Sequence, residues 1–259
     1  MDIDKIRQGT SMTKDLSAFA RERGIKYFMI SFTDLFGGQR AKLVPTQAIA
    51  DMQEEGAGFA GFATWLDLSP AHPDMFAIPD PDSVIQLPWK PEVAWVAADC
   101  IMEGTPVEQA PRNVLKAQIA KAAELGLLQT KFTGPSGLHE GNISSARDVS
   151  RLISEASRRP RIAEIMRKRS YRINTNRRSR DVRNTNRLLD TSLDVMAGKT
   201  GYIDEAGYCL ATLVRFDEER AIAVVVLGAG SSSIRFRETR RLVDWLSKQA
   251  RFLLTSAAE

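Results

Sequence analysis

The triplet Lys199-Thr200-Gly201 places an ammonium, a hydroxyl and a residue without a side chain next to one another. It ends a stretch, residues 193–201, that we predict as a strand, and a second predicted strand begins at residue 208. A Lys-Thr-Gly triplet at the end of a buried strand is typical of the active-site wall in enzymes of serine acyl transfer. Such chemistry also requires a nucleophile.

Ser11 is the candidate nucleophile. A serine hydroxyl needs a lysine to take its proton, and Ser-x-x-Lys sets the two side chains one helical turn apart. Only Ser11-Met12-Thr13-Lys14 has this spacing, and no serine is followed two residues later by asparagine. A serine before a predicted helix, about 13–23, is also an ordinary N-cap. We name Ser11 and Lys14 as the catalytic candidates and favour capping as the explanation of Ser11.

The composition is that of a globular protein of one or two domains. Of the 259 residues, 43% are hydrophobic and 26% are charged, which predicts neither disorder nor a membrane span. The first residues lack the apolar core of a secretory signal, so we expect a cytoplasmic protein. His72 and His139 are isolated, and Cys100 and Cys209 lie in apolar runs. No metal site and no cofactor are therefore predicted.

Arginines are concentrated between residues 147 and 187, with few acidic residues among them. Such a block could contact nucleic acid. Because a groove-entering motif and interleaved aromatic residues are missing, we favour a solvated helical face and a basic cleft, and we predict no nucleic-acid partner.

The first half has the pattern of a small α+β sheet domain. The helix at about 13–23 ends at Gly24, where a left-handed cap is favourable. Strands are predicted at 25–32, 37–45, 83–87 and 93–101, and an amphipathic helix at 113–125.

Four segments of this half, residues 30–37, 40–42, 75–82 and 104–112, resemble in order and spacing the N-terminal β-grasp domain of glutamine synthetases, in particular the type III-like branch. The resemblance covers about residues 14–127. In that family this domain caps a neighbouring subunit's active site in a ring, whereas the metal, ATP and glutamate sites lie in a separate catalytic domain. The resemblance implies a homo-oligomer or association with glutamine synthetase subunits.

The second half has different signals. Ser145-x-x-Asp148 is a capping box, which predicts a helix at 146–157. A further helix is predicted at 161–168, an antiparallel strand pair at 208–216 and 221–227, and a C-terminal helix at 236–254.

Five segments of this half, residues 135–138, 145–148, 184–189, 199–201 and 206–209, resemble the D-alanyl-D-alanine carboxypeptidases, the low-mass penicillin-binding proteins. The match covers about residues 131–250, roughly the second half of that family's catalytic domain. It implies that Lys199 and Thr200 bind the carboxylate of a peptidoglycan peptide or a β-lactam, and that Gly201 lets it lie close to the backbone.

The sequence thus predicts an α+β chain with a glutamine synthetase β-grasp-like domain at 1–128. A partial penicillin-binding or serine β-lactamase-like α/β half-domain, with antiparallel strands and a C-terminal helix, follows at 129–259. Our favoured hypothesis is a fusion of two partial enzymes that is inactive alone. The alternatives are a working D,D-peptidase built on Ser11, Lys14 and Lys199, and a non-catalytic module that associates with glutamine synthetase. If the chain is active, a peptidase is favoured over a synthetase.

Overall fold

The computed structural model describes residues 14–218 and 220–256, which form a mixed α+β structure. The chain divides into two compact units, Met1–Gln118 and Ile119–Glu259. The sequence predicts a domain boundary after residue 128, and the compact units divide inside a helix, Pro111–Glu124.

The first unit is built around one seven-stranded sheet. Its strands run in the order β2-β1-β6-β4-β3, and the short strands β5 and β7 both pair with β6. Strands β1 and β6 are parallel, and the other pairings are antiparallel. The elements are α1 (Leu16–Arg23), β1 (Tyr27–Thr33), β2 (Gln39–Pro45), a 3-10 turn (Thr46–Ala48), α2 (Ile49–Glu55), β3 (Ala57–Phe59), a 3-10 turn (Gly61–Ala63), β4 (Met75–Pro79), a 3-10 turn (Pro81–Ser83), β5 (Ile85–Gln86), β6 (Val93–Met102), β7 (Thr105–Pro106) and α3 (Pro111–Glu124).

Local sequence explains the ends of these elements. The helix α1 ends at Gly24, whose φ of 67° is left-handed and whose amide donates to the carbonyl of Ala20. Alternate residues of β1, Phe28 and Ile30, face the core, where the two helices α1 and α2 contribute Leu16 and Ile49. Each predicted helix and strand of this half has a counterpart in the structure, but the strand predicted at 83–87 is shortened to β5, and α2, β3, β4 and β7 were not predicted.

The second unit has a three-stranded antiparallel sheet in the order β10-β11-β12, and a separate two-stranded hairpin. Its elements are α4 (Ala146–Ser157), α5 (Pro160–Arg167), β8 (Ser170–Asn174), β9 (Ser179–Arg183), a 3-10 turn (Arg187–Asp190), β10 (Val195–Ile203), β11 (Gly207–Arg215), β12 (Ala221–Ala229) and α6 (Ser232–Ser256).

Helices cover both faces of this sheet. Neighbouring residues of a strand point to opposite faces. Leu213 of β11 packs with Ile153 of α4, whereas the next residue, Val214, packs with Val243 of α6. The central strand β11 is therefore buried on both sides, which explains its nearly continuous apolar sequence.

The hairpin of β8 and β9 is not predicted by the sequence pattern. Every residue of its two strands is exposed. The alternation of Tyr171 and Ile173 with polar residues is confined to one short strand in an arginine-rich stretch, which is too short a signal to predict a hairpin. The helices and the other strands of this half follow the prediction, and α4 has the bounds that the capping box indicates.

Candidate functional site

The predicted triplet lies on β10, the outer strand of the three-stranded sheet. Lys199 is opposite Ala211 of β11, and Gly201 is opposite Cys209. Alternation along the strand buries Thr200 and exposes its two neighbours. The backbone thus presents Lys199 and Gly201 to solvent on one face.

Two hydrogen bonds fix the polar groups of the triplet. The Lys199 ammonium donates to the carbonyl oxygen of Thr200 over 2.6 Å. The Thr200 hydroxyl is 2.6 Å from the Thr185 hydroxyl, and only 8% of Thr200 is exposed. A Cβ on Gly201 would meet nothing closer than 3.7 Å, so the space over this residue is open.

Asn186 supports β10 from below. It is 2% exposed, and its Oδ1 accepts from the Leu188 amide, which caps the 3-10 turn. Its Nδ2 is buried without a hydrogen-bond partner and lies directly under Gly198, where a Cβ would approach it within 3.0 Å. Gly198 is therefore required by close packing.

Arg235 of α6 is a buried cation behind the triplet. Its guanidinium donates to the carbonyls of Gly201 (3.0 Å) and Cys209 (3.3 Å). It lies over the rings of Tyr208 and Phe236, at 5.3 and 4.9 Å from their centroids. Burial lowers the pKa of Arg235 from its usual value. This side chain holds the end of β10 in place.

Sequence reasoning missed Thr185, Asn186 and Arg235 as parts of the site. The segment 184–189 contributed to the resemblance, but nothing assigned it a contact with the triplet. The position of Arg235 in the first turn of a helix was one signal that could have been used, because a cation there interacts unfavourably with the helix dipole. Such a placement suggests that the arginine has another role, and its contacts behind the sheet supply one.

The structure describes only one of the two catalytic candidates. Ser11 lies outside the described residues. Lys14 is exposed and precedes α1, whose N-cap is Asp15 with its side chain accepting from the Ser17 amide. The residue that caps this helix is thus Asp15, which corrects the capping assignment to Ser11.

In the first unit the distinctive polar group is Asp34, which is 1% exposed. Its carboxylate accepts from the amides of Phe36 (2.9 Å) and Gly38 (2.8 Å) and pairs with Arg40 at 2.7 Å. Burial opposes the ionisation of Asp34, but Arg40 and the two amides outweigh it and lower its pKa. The Arg40 guanidinium also lies 5.5 Å from the ring centroid of Trp65.

The opposite face of the first sheet is apolar and open. The strand register aligns Leu43, Met29, Trp95 and Ile85 in one row across β2, β1, β6 and β5. Beside this row, Trp89 is 79% exposed and borders a groove of about 380 Å³. Leu43 and Ile85 are more than half exposed. We call Leu43, Met29, Trp95 and Ile85, together with Trp89, the open sheet face.

Within the described part of the chain, no three His, Cys, Asp or Glu side chains are grouped as metal ligands. The same residues include no helix that is both long and apolar enough to cross a membrane.

Comparison with known proteins separates the two halves. The D-alanyl-D-alanine carboxypeptidase family model matches residues 110–231. The glutamine synthetase of Rhizobium leguminosarum bv. phaseoli is 76% identical over 116 residues, which are 45% of this chain and 27% of that enzyme. The two halves of the chain are thus similar to parts of two different enzyme families. Both expected resemblances are thereby confirmed.

The carboxypeptidase DacF of Bacillus subtilis is 36% identical over 140 residues, which are 52% of this chain and 35% of that protein. A mutant Streptomyces K15 DD-transpeptidase shares the fold of the second half, with a TM-score of 0.50 at 23% identity, over 55% of this chain and 57% of that one. The chain therefore spans about a quarter of its synthetase relative and about a third of this carboxypeptidase.

Proposed function

We propose that the second unit binds a carboxylate of a peptidoglycan peptide or a β-lactam at the Lys199-Thr200-Gly201 strand, without turning the ligand over. The exposed ammonium of Lys199 on an outer strand carries this proposal. A ligand carboxylate would replace the Thr200 carbonyl as the partner of this ammonium, and a charge-assisted hydrogen bond is stronger than a neutral one. Gly201 leaves room for the ligand backbone.

Turnover would need an activated serine, and this is where the chain differs from a complete enzyme. The acyl-enzyme route depends on a serine and lysine held one turn apart. The only sequence match is Ser11 with Lys14, and Lys14 precedes the helix α1. We therefore propose a chain that is inactive alone in peptide trimming, and inactive in glutamine synthesis because it spans 27% of that enzyme relative.

Mass spectrometry and equilibrium binding test both parts of the proposal. We expect no covalent adduct on the intact chain after incubation with a penicillin. A fluorescent penicillin should bind reversibly, and Lys199→Ala should weaken that binding about tenfold or more. Lys248→Ala, which removes an exposed lysine of α6, is the matched control and should bind as wild type does.

Each contrary result has a definite meaning. An adduct that maps to Ser11 and disappears in Ser11→Ala would establish the working peptidase instead. Absence of reversible binding, or equal losses in Lys199→Ala and Lys248→Ala, would remove the carboxylate site.

A second candidate function is association of the first unit, a β-grasp-like domain by resemblance, with glutamine synthetase subunits. The open sheet face favours it, because an apolar row with exposed ends beside an exposed tryptophan is typical of an interaction surface. The identity of 76% with a synthetase makes a subunit of that enzyme the natural partner.

Co-expression with a tagged synthetase of this type tests the association. We expect co-elution that Trp89→Glu abolishes, because the charge enters the open sheet face. Leu128→Glu, which alters a residue 93% exposed in the other unit, should co-elute as wild type does. A chain that elutes alone, or only with a second copy of itself, would exclude the synthetase as partner.

A further inference from the structure

The hairpin of β8 and β9 stands apart from the other sheets. In the described chain its strands pair only with each other. Its base is held by Asn184, whose Nδ2 donates to the carbonyls of Met166 (3.2 Å) and Lys168 (2.9 Å). Its turn is held by the Thr175 hydroxyl, which accepts from the Arg178 amide over 3.0 Å. Isolated hairpins are marginal, so these bonds explain how the shape forms without a covering layer.

One face of the hairpin carries three large apolar side chains beside Arg180. The register sets Tyr171 opposite Val182 and Ile173 opposite Arg180, and cross-strand partners share a face. Tyr171 is 62% exposed, Ile173 45% and Val182 41%. Three large apolar side chains of this hairpin are therefore exposed to water.

The same segment is strongly basic. Residues 167–187 contain nine Lys and Arg side chains and one acidic side chain, Asp181. On the opposite face of the hairpin, Arg172 forms an ion pair with Asp181 and donates two hydrogen bonds of 2.9 Å to its carboxylate. Four further arginines of the hairpin have no ion pair with any described residue: Arg177, Arg178, Arg180 and Arg183.

We propose that this hairpin binds the surface of an anionic lipid bilayer. Tyr171, Ile173 and Val182 would enter the interface, while Arg177 and Arg178 at the turn contact the headgroups. An apolar face bordered by dense positive charge matches a surface that offers both anionic headgroups and an apolar interior. Nucleic acid would satisfy the arginines but leave the aliphatic side chains in water. The inference is independent of catalysis in either unit.

Flotation of the full chain with lipid vesicles tests the charge contribution. We expect binding to mixed phosphatidylcholine–phosphatidylglycerol vesicles, none to pure phosphatidylcholine, and weakening with added salt. Arg177→Glu with Arg178→Glu should lower the partition coefficient about 30-fold or more. Arg23→Glu with Arg240→Glu makes the same charge change at exposed sites elsewhere and should lower it by no more than about threefold.

Threonine substitutions test the apolar contribution. Tyr171→Thr with Ile173→Thr keeps β-propensity and removes apolar area, so we expect about a tenfold loss of vesicle binding. Duplex RNA serves as the competing probe. Three outcomes would each overturn the proposal. The threonine substitutions could leave vesicle binding unchanged, the two arginine pairs could lose binding equally, or the chain could bind RNA and not vesicles. If circular dichroism shows that the threonine variant does not fold, the test rests on Arg177→Glu with Arg178→Glu, which changes only an exposed turn.

Discussion

Gly198→Ala gives the sharpest test of how β10 is supported. The added Cβ would come within 3.0 Å of Asn186 Nδ2, whereas ordinary contacts begin at 3.4 Å. Asn186 must therefore move, and it caps the turn that buries Leu188. Overpacking costs about 1–3 kcal/mol and a lost cap about 1 kcal/mol, while replacing glycine in a strand returns about 0.5–1 kcal/mol. We expect a net destabilisation of the second unit of about 2 kcal/mol.

Hydrogen exchange read by mass spectrometry measures this effect segment by segment, so the two units need not unfold together. A loss of about 2 kcal/mol should accelerate the slowest β11 amides about 30-fold. Gly201→Ala on the same strand is the control, because its Cβ would lie 3.7 Å from the nearest atom. It should leave exchange within about threefold of wild type. If the β11 amides exchange at the same rate in both variants, our inference that Asn186 packs tightly against Gly198 is wrong.

Three further predictions concern buried groups. The pKa of Asp34 is lowered in the folded chain, so the first unit should lose stability as the pH falls below about 4. In Asp34→Asn the free energy of unfolding, measured by urea titration with tryptophan fluorescence, should decrease less over this pH range. Arg235→Ala leaves the carbonyls of Gly201 and Cys209 without their donor and should cost about 1–3 kcal/mol, seen as a lower melting temperature; an unchanged temperature would show that water replaces the guanidinium. Burial, aided by a nearby acidic charge, raises the pKa of Cys100 to about 12, so a thiol reagent should label only Cys209 in the folded chain and both cysteines in denaturant; rapid native labelling of Cys100 would contradict its burial.

Local signals made the bounds of some elements predictable. Ser145 caps α4 by accepting from the Asp148 amide over 3.2 Å, and Gly24 ends α1 in the left-handed region. Both effects involve residues within a few positions of one another, so the sequence alone carries them. Strand β1 is likewise indicated by its own composition, which is rich in β-branched and aromatic residues.

The support of the triplet could not be predicted in this way. Arg235 reaches Gly201 across 34 residues of chain, and Thr185 reaches Thr200 across 15. No local propensity encodes such pairs, because they depend on how α6 and the 3-10 turn pack on the sheet. The exposed hairpin was missed for a different reason. Tyr171 and Ile173 do alternate with polar residues in β8, but β9 has one apolar residue, Val182, and both strands lie in a polar, arginine-rich stretch.

The contacts that shape the triplet also separate its geometry from catalysis. Thr185 holds Thr200, Asn186 underlies Gly198 and Arg235 binds the carbonyl of Gly201. All of these residues belong to the second unit, so the strand keeps its form whether or not a nucleophile faces it. An intact Lys-Thr-Gly strand is consequently evidence that this sheet folds, and the question of acyl transfer turns on whether Ser11 reacts with a penicillin.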